Sequence, residues 1–383
     1  MMLILTVLLF ALVLSYSAAL LVLRAGLQNL ARPTNHWQPT VSVVVAARNE
    51  ADHIAACLHH LRRQDYPGHL LEIIVVDDRS EDRTAEIVRN LALANPAIHL
   101  VQIHDLSPAL APKKRAIDAG IRRATGEIIL STDADCRPGP RWMSHMVQYF
   151  EPKVGMVAGY NPYQTGPGAS TFQKMLMLDY FSMACVAAAS AGLGFPISCT
   201  GGNLAYRRAL YLQTGGFTRF GSWISGDDDL FLEHIRETTP WKIRYAATPE
   251  TFVPTAPPAS VREFVHQRIR YASKGRRYAW RVVAGLLVVY VMNFLIATGM
   301  VFSCFAPQTW GVFLLALVAK SVSECALLLR GKNILHTKFS AATFVLTALS
   351  HPFYIALAGL AGQVMTFRWK GQTCGGKGII DQV

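Results

Sequence analysis

Two carboxylates one residue apart, Asp133 and Asp135 in STDADCRP (131–138), follow the apolar run GEIIL. Along an extended segment, residues i and i+2 point the same way, so both carboxylates can face one ligand. The spacing alone says little, because 25 acidic residues in 383 give about one or two such pairs by chance. Other acids stand at comparable places: Asp77 and Asp78 end LEIIVVDD, Glu50 follows Arg48 and Asn49, and Asp227, Asp228 and Asp229 lie together in SGDDDLFL. Like charges gathered in one crevice repel unless a cation or donor groups offset them. A hard divalent cation, Mg²⁺ or Mn²⁺, held by one or two carboxylates and completed by phosphate oxygens, meets that need. The plainer reading makes Asp77 and Ser80 helix caps and Asp133 the start of a turn before Pro138. No G-x-G-x-x-G follows the first strand and no G-x-x-x-x-G-K-[ST] occurs, which weighs against dinucleotide and P-loop chemistry.

The elements that would carry these acids alternate between strand and helix patterns. VSVVVAA (41–47) reads as a buried strand; Ile54, Cys57, Leu58 and Leu61 then fall on one helical face. LEIIVVDD (71–78) is a second strand, with Ser80 as the expected N-cap of a helix over EDRTAEIVRNLAL. IHLVQI (98–103) and GEIILST (126–132) are further strands, separated by the helical KRAIDAGIRRA. This order predicts an α/β fold with a doubly wound, mostly parallel sheet. Ligands of such sheets gather at the carboxyl ends of the strands, where the acidic clusters converge.

The 51% hydrophobic content exceeds that of an ordinary soluble chain. Residues 2–23 carry no charge and are long enough to span about 30 Å of hydrocarbon, so residues 1–24 are expected to be a retained N-terminal anchor. Apolar blocks at 282–306, 311–329 and 339–367 predict a C-terminal membrane region, 282–367, followed by a basic tail, 368–383. Arg24, Arg32 and the basic stretch Lys274–Arg277 place residues 38–281 on the cytoplasmic side by the positive-inside rule. A full span at 339–367 would export the basic tail, and Pro352 suggests a broken or re-entrant segment there. The net charge of +12 is concentrated beside apolar segments, which fits attraction to anionic lipid rather than nucleic-acid binding. The seven cysteines show no C-x-x-C pairing and read as reduced thiols.

Taken in order, VSVVVAARNE, LRRQDYPGHLLEIIVVDDRSEDRT, PKKRAIDAGIRRATGEIILSTDADCRP, GGNLAYRR, SGDDDLFL and QRIRYASKG resemble the motifs of family 2 glycosyltransferases over roughly residues 40–280. The resemblance implies the inverting GT-A fold and a membrane-bound member similar to lipid, carotenoid and ceramide glycosyltransferases. By that resemblance Glu50 and Asp78 line the uracil and ribose of a UDP-sugar, and Lys113 lies beside the base and phosphates. Asp133 touches the sugar and, with Asp135, holds the metal on the diphosphate. Asp227 is the catalytic base, with Asp228 as the alternative. Gly201, Gly202 and Asn203 lie near the donor sugar or acceptor, and Gln267, Arg270 and Tyr271 match Q-x-x-R-W with tyrosine in place of tryptophan.

The stretch 172–196 is apolar and Met-rich yet holds Lys174 and Asp179; it reads as an interfacial helix or as a core helix of the catalytic domain. Transfer of one hexose to a membrane lipid (a glycolipid precursor, a polyprenyl carrier or a hydroxycarotenoid, giving a carotenoid glucoside) is the expected function, in a bacterial inner membrane. A processive polysaccharide synthase and a noncatalytic, degenerate GT-A protein are the alternatives.

Overall fold

The computed structural model describes residues 2–104, 109–166, 168–365, 367–369 and 372–374. The chain forms two units, one containing Leu30–Gln164 and Ser190–Ala256, the other containing the N-terminal helix, Thr165–Ala189 and the described residues from Pro257 onward. The stretch 38–281 expected as one catalytic domain is thus divided between them.

The first unit is built on seven strands: β1 Val41–Ala47, β2 Leu71–Asp77, β3 Ile98–Gln102, β4 Ile128–Asp133, β5 Val154–Gly159, β6 Leu204–Arg207 and β7 Lys242–Ala246. Their order is β3-β2-β1-β4-β6-β5-β7. All neighbours are parallel except β6, which runs antiparallel to both β4 and β5. Strands β1, β2 and β4 are apolar nearly throughout because helices cover both faces. One face packs Val43, Val45, Ile73, Val75 and Leu130 against Leu58, Trp142, Met146 and Phe150. On the other lies the helix Pro112–Arg123, whose Gly120 sits directly over Val44 and Val76. The chain reverses its winding direction between β1 and β4, so a crevice opens there at the carboxyl ends of the strands.

The helix expected to be capped by Ser80 begins later, at Thr84. Asp82 takes the capping role by accepting from the Thr84 amide at 2.9 Å, while the Ser80 hydroxyl accepts from the Asn49 amide at 2.9 Å and ties the end of β1 to the next loop.

Among the described residues five helices are long and apolar enough to cross a membrane, all of them wholly or mostly in the second unit: Met2–Asn29, Thr171–Gly192, Trp280–Ser303, Pro307–Ile334 and Ala341–Gly362. Helix Ala341–Val364 runs through Pro352 without interruption, so the break expected there is not observed. Helix Thr171–Gly192 belongs to this unit through Ala189, and its last residues to the first, so most of it lies outside the sheet unit. Its buried Asp179 accepts hydrogen bonds from Arg268, on helix Val261–Ser273, and from Tyr354. Glu324 accepts from Tyr16 at 2.8 Å and pairs with the fully buried Lys320 at 2.7 Å, linking the N-terminal helix to Trp310–Ile334. Strands Phe367–Trp369 and Gln372–Cys374 pair antiparallel at the start of the expected basic tail, 368–383, and the remainder of that tail lies outside the described residues.

A side chain at Gly120 has no room, since a Cβ there would lie 2.5 Å from Val44 Cγ1 and 3.0 Å from Val76 Cγ2. Gly120→Val is therefore expected to lower stability by about 1–3 kcal/mol through overpacking. Thermal unfolding of the detergent-solubilised protein checks it.

Candidate active site

The first turn of helix Pro112–Arg123 carries three consecutive cations, and each leaves the helix in a different direction. Proline at the first helical position suits the start, since its missing N–H would have had no helical partner. Lys113 Nζ lies 2.7 Å from Asp133 Oδ1 and 3.0 Å from Asp227 Oδ2, joining the end of β4 to the SGDDDLFL loop. Burial alone would pull the lysine pKa down, but Asp133 and Asp227 outweigh it and hold the ammonium well above its ordinary value. Arg115 Nη2 contacts both oxygens of Asp78, at 2.9 and 3.0 Å, and Arg79 Nε adds a contact to Oδ1 at 3.0 Å.

These contacts separate neighbouring acids that the sequence leaves together. Side chains alternate along β2, so Asp78 continues the face of Val76 toward helix Pro112–Arg123 and is enclosed by two arginines. Asp78 therefore does not present the open carboxylate expected of a donor-facing residue. Asp77 is equally buried, at 2% exposed, but its Oδ1 has no hydrogen-bond partner among the described residues. Arg48 Nε and Nη1 are likewise buried without a hydrogen-bond partner among them. Asp77 and Arg48 line one cavity of about 430 Å³ with Arg79, Ser80, Gln102 and His104. The strand alternation at 77–78 was the available signal for Asp77; Arg48 had none beyond its place after β1. Asn49 and Arg79, at the ends of β1 and β2, adopt φ of +53° and +58°, the sparsely populated region that backbone near ligand sites often holds. Glu50 is buried beside them, and its carbonyl accepts from Ile54 at 2.9 Å.

Of the three acids at 227–229, Asp227 turns to Lys113. Asp228 caps helix Asp229–Thr238, accepting from the Asp229 amide at 2.7 Å, and its other oxygen accepts from the Gly201 amide at 3.1 Å. Asp229 is buried at the helix start.

Because β6 is antiparallel to β4, the residues preceding it return to the carboxyl end of β4. Gly201 and Gly202 thus press against the carboxylates. A Cβ on Gly201 would lie 2.8 Å from Asp227 Oδ2, and one on Gly202 would lie 3.1 Å from Asp133 Oδ2. Asn203, expected to face donor or acceptor, is fully buried below them. Its amide donates to the Tyr160 and Thr251 carbonyls at 3.1 and 2.8 Å and accepts from Trp142 Nε1 at 2.9 Å, so it secures the loop from beneath.

Carboxylate oxygens of Asp133 and Asp135 and the Cys136 thiol lie within 4.8 Å of one another. Burial and the two adjacent aspartates push the Cys136 thiol well up, so it keeps its proton near neutrality. The donors on offer are then two carboxylates, one of them exposed, which suits a hard divalent cation sharing its shell with phosphate and water. Gln267, Arg270 and Tyr271 lie half-buried on helix Val261–Ser273 of the second unit, with the Arg270 guanidinium 5.1 Å from the centre of the Tyr271 ring.

The family model Glycosyl transferase family 2 matches residues 42–213, and Glycosyl transferase family group 2 matches residues 128–322, just over half of the chain. The protein is a family 2 glycosyltransferase. Its GT-A fold is shared with the mannosyltransferase PcManGT of Pyrobaculum calidifontis, solved in complex with GDP-Man and Mn²⁺: TM-score 0.59 at 22% identity, covering 93% of this chain and 99% of that one. In sequence this glycosyltransferase is 30% identical over 156 residues to the glycosyltransferase AglE of Haloferax volcanii, covering 39% of this chain and 50% of that protein. It is 27% identical over 262 residues to an N-acetylglucosaminyltransferase of Sinorhizobium fredii, covering 65% and 61% respectively. A 135-residue match at 33% identity joins it to a beta-monoglucosyldiacylglycerol synthase of Trichormus variabilis, covering 33% and 28%. The chain therefore spans between about a quarter and three fifths of the length of these relatives.

The thiols around the site give a direct check of its electrostatics. Burial, then the charges of Asp135 and Asp133, push Cys57 up to about 12, so neither Cys57 nor Cys136 offers a thiolate at pH 8. Brief maleimide treatment at that pH, read by peptide mass spectrometry, is expected to label the exposed Cys304 and spare both.

Proposed function

We propose that the protein transfers one hexose, with inversion, from a UDP-sugar to the hydroxyl of a membrane lipid. The observation that carries this reading is the bridge made by Lys113, which brings Asp133 of the acidic turn and Asp227 of a separate loop to one ammonium. An inverting displacement needs carboxylates at two stations: one where the diphosphate leaves, the other where the attacking hydroxyl loses its proton. Asp133 and Asp135 form the first station, and the glycine pair lets the donor sugar approach between them and Asp227. A bound Mg²⁺ or Mn²⁺, held by Asp133 and Asp135, supplies Lewis acidity toward the diphosphate leaving group.

Asp227 accepts the proton as the acceptor oxygen bonds to the anomeric carbon and the bond to UDP breaks. Asp228 is already committed to the helix start and the Gly201 amide, which favours Asp227 as the base. Lys113 keeps its proton and offsets charge on both sides of the reacting centre. The cavity at Asp77 and Arg48 suits the nucleoside, because uracil offers an imino N–H between two carbonyls and so needs an acceptor and donors together.

A lipid acceptor is supported by the apolar helices of the second unit and by the resemblance to a protein named for glucosyldiacylglycerol synthesis. By the motif resemblance alone, Gln267, Arg270 and Tyr271 are the proposed acceptor and diphosphate residues. The basic residues flanking the spans support a cytoplasmic catalytic unit in a bacterial inner membrane.

Incubating the purified full chain with native lipid extract and a panel of UDP-sugars is expected to add one hexose mass to an organic-phase species; polymer release without a labelled lipid would favour a polysaccharide synthase. Asp227→Ala should lower turnover about 10²–10⁴-fold, the range of general-base catalysis, while leaving UDP affinity intact. Asp135→Ala should instead weaken Mn²⁺-dependent UDP binding about tenfold or more, read by calorimetry.

A further inference from the structure

The second cation of the PKKR run is the most deeply buried of the three. Lys114 is 0% exposed. Its Nζ donates to the Trp223 carbonyl at 2.6 Å and the Ser225 carbonyl at 2.8 Å, and stands 5.4 Å from the centre of the Phe220 ring. A buried ammonium is costly unless its donors are satisfied, so this one holds its loop firmly or not at all.

The loop so held leads directly into the acids. Ser225 is two residues before Asp227, and between them Gly226 adopts φ +91°, a conformation that L side chains rarely take. A second tie, from the Ala111 amide to the Gly221 carbonyl at 2.7 Å, fastens the start of the loop to the same helix end. Beyond it, Asp228 closes the loop on helix Asp229–Thr238. Asp227 thus sits on a short span pinned on both sides, and Gly226 takes the left-handed turn between the Lys114 contacts and Asp227.

We propose that Lys114 is a positioning residue: by clamping the Trp223 and Ser225 carbonyls it fixes the backbone turn at Gly226 and so aims Asp227 at the acceptor hydroxyl. This rests on the reading of Asp227 as the base. Lys113 and Lys114 then divide the work, one offsetting the charge of the Asp227 carboxylate and the other setting the place of its backbone. Misplacement by about 1 Å is enough to cost about 100-fold in rate.

The test uses the full chain in detergent with native lipid extract as the acceptor source and whichever UDP-hexose of the panel the parent turns over. Lys114→Met is expected to lower kcat about 100-fold with KM for the donor and calorimetric UDP–Mn²⁺ affinity within about twofold of the parent. Lys114→Arg, which keeps charge and donors, should recover at least part of that loss. Hydrogen–deuterium exchange supplies a readout independent of turnover: peptides covering 221–229 should exchange faster in Lys114→Met, whereas those covering β1 and β4 should not. Unchanged kcat and unchanged exchange in 221–229 would overturn the proposal. So would a loss of kcat matched by an equal loss of UDP affinity, or by faster exchange across the whole sheet, since Lys114 would then support the fold at large. Asp227→Asn in the same assay separates the two readings: if it keeps full turnover while 221–229 loosens in Lys114→Met, the clamp stands and the assignment of the base fails.

Discussion

Gathering acidic side chains at the carboxyl ends of β1, β2 and β4 is possible only if their repulsion is offset, and the first turn of helix Pro112–Arg123 meets that constraint. A helix N-terminus carries partial positive charge and favours anions, so three cations in its first turn work against the local field. They are held there by partners elsewhere. Successive helical residues are turned by about 100°, so consecutive cations fan out instead of competing for one carboxylate. Lys113 goes to Asp133 and Asp227, Lys114 to two carbonyls, and Arg115 to Asp78. Gly120, two turns on, lets the helix lie close enough on Val44 and Val76 for all three to reach. Packing against the sheet and electrostatics in the crevice are thus set by one element.

The order of strands and helices was legible because β1, β2 and β4 are buried on both faces and read as unbroken apolar runs. The antiparallel β6 was not. Four residues, LAYR, carry too little pattern to announce a strand, and their direction is fixed only by pairing with β4 and β5. Pro352 misled for a related reason: a proline within an apolar helix suggests a break, but neighbouring packing can absorb the lost hydrogen bond and Ala341–Val364 continues through it.

Within the site, motif spacing located the acids but not their orientation. Asp77 and Asp78 differ by one step of strand alternation, which sends one into the cavity and the other to Arg115. Asp227, Asp228 and Asp229 differ by where a helix begins: the residue at the cap is committed to backbone amides, the one after it is buried, and only the one before it is at liberty to meet Lys113. Arg268 escaped notice for another reason. Q-x-x-R-Y directs attention to Arg270, whereas the neighbouring arginine is the one that pairs with Asp179, a partner 89 residues away.

The glycine pair shows why so short a strand matters. Running antiparallel, β6 delivers its leading residues to the end of β4 where a parallel strand would deliver its trailing ones. Gly201 and Gly202 among them have no side chains, and a Cβ on either would press on Asp227, Lys113 or Asp133. One wall of the site is therefore bare backbone, with Asn203 anchored underneath so that the wall does not sag away from the acids. A ligand entering between Asp133 and Asp227 meets carboxylates, an ammonium and backbone, with nothing apolar from this wall to exclude a hydroxylated ring. Close approach to backbone on one side, with carboxylates and an ammonium at hand, suits a polyhydroxylated ring, whose hydroxyls both donate and accept.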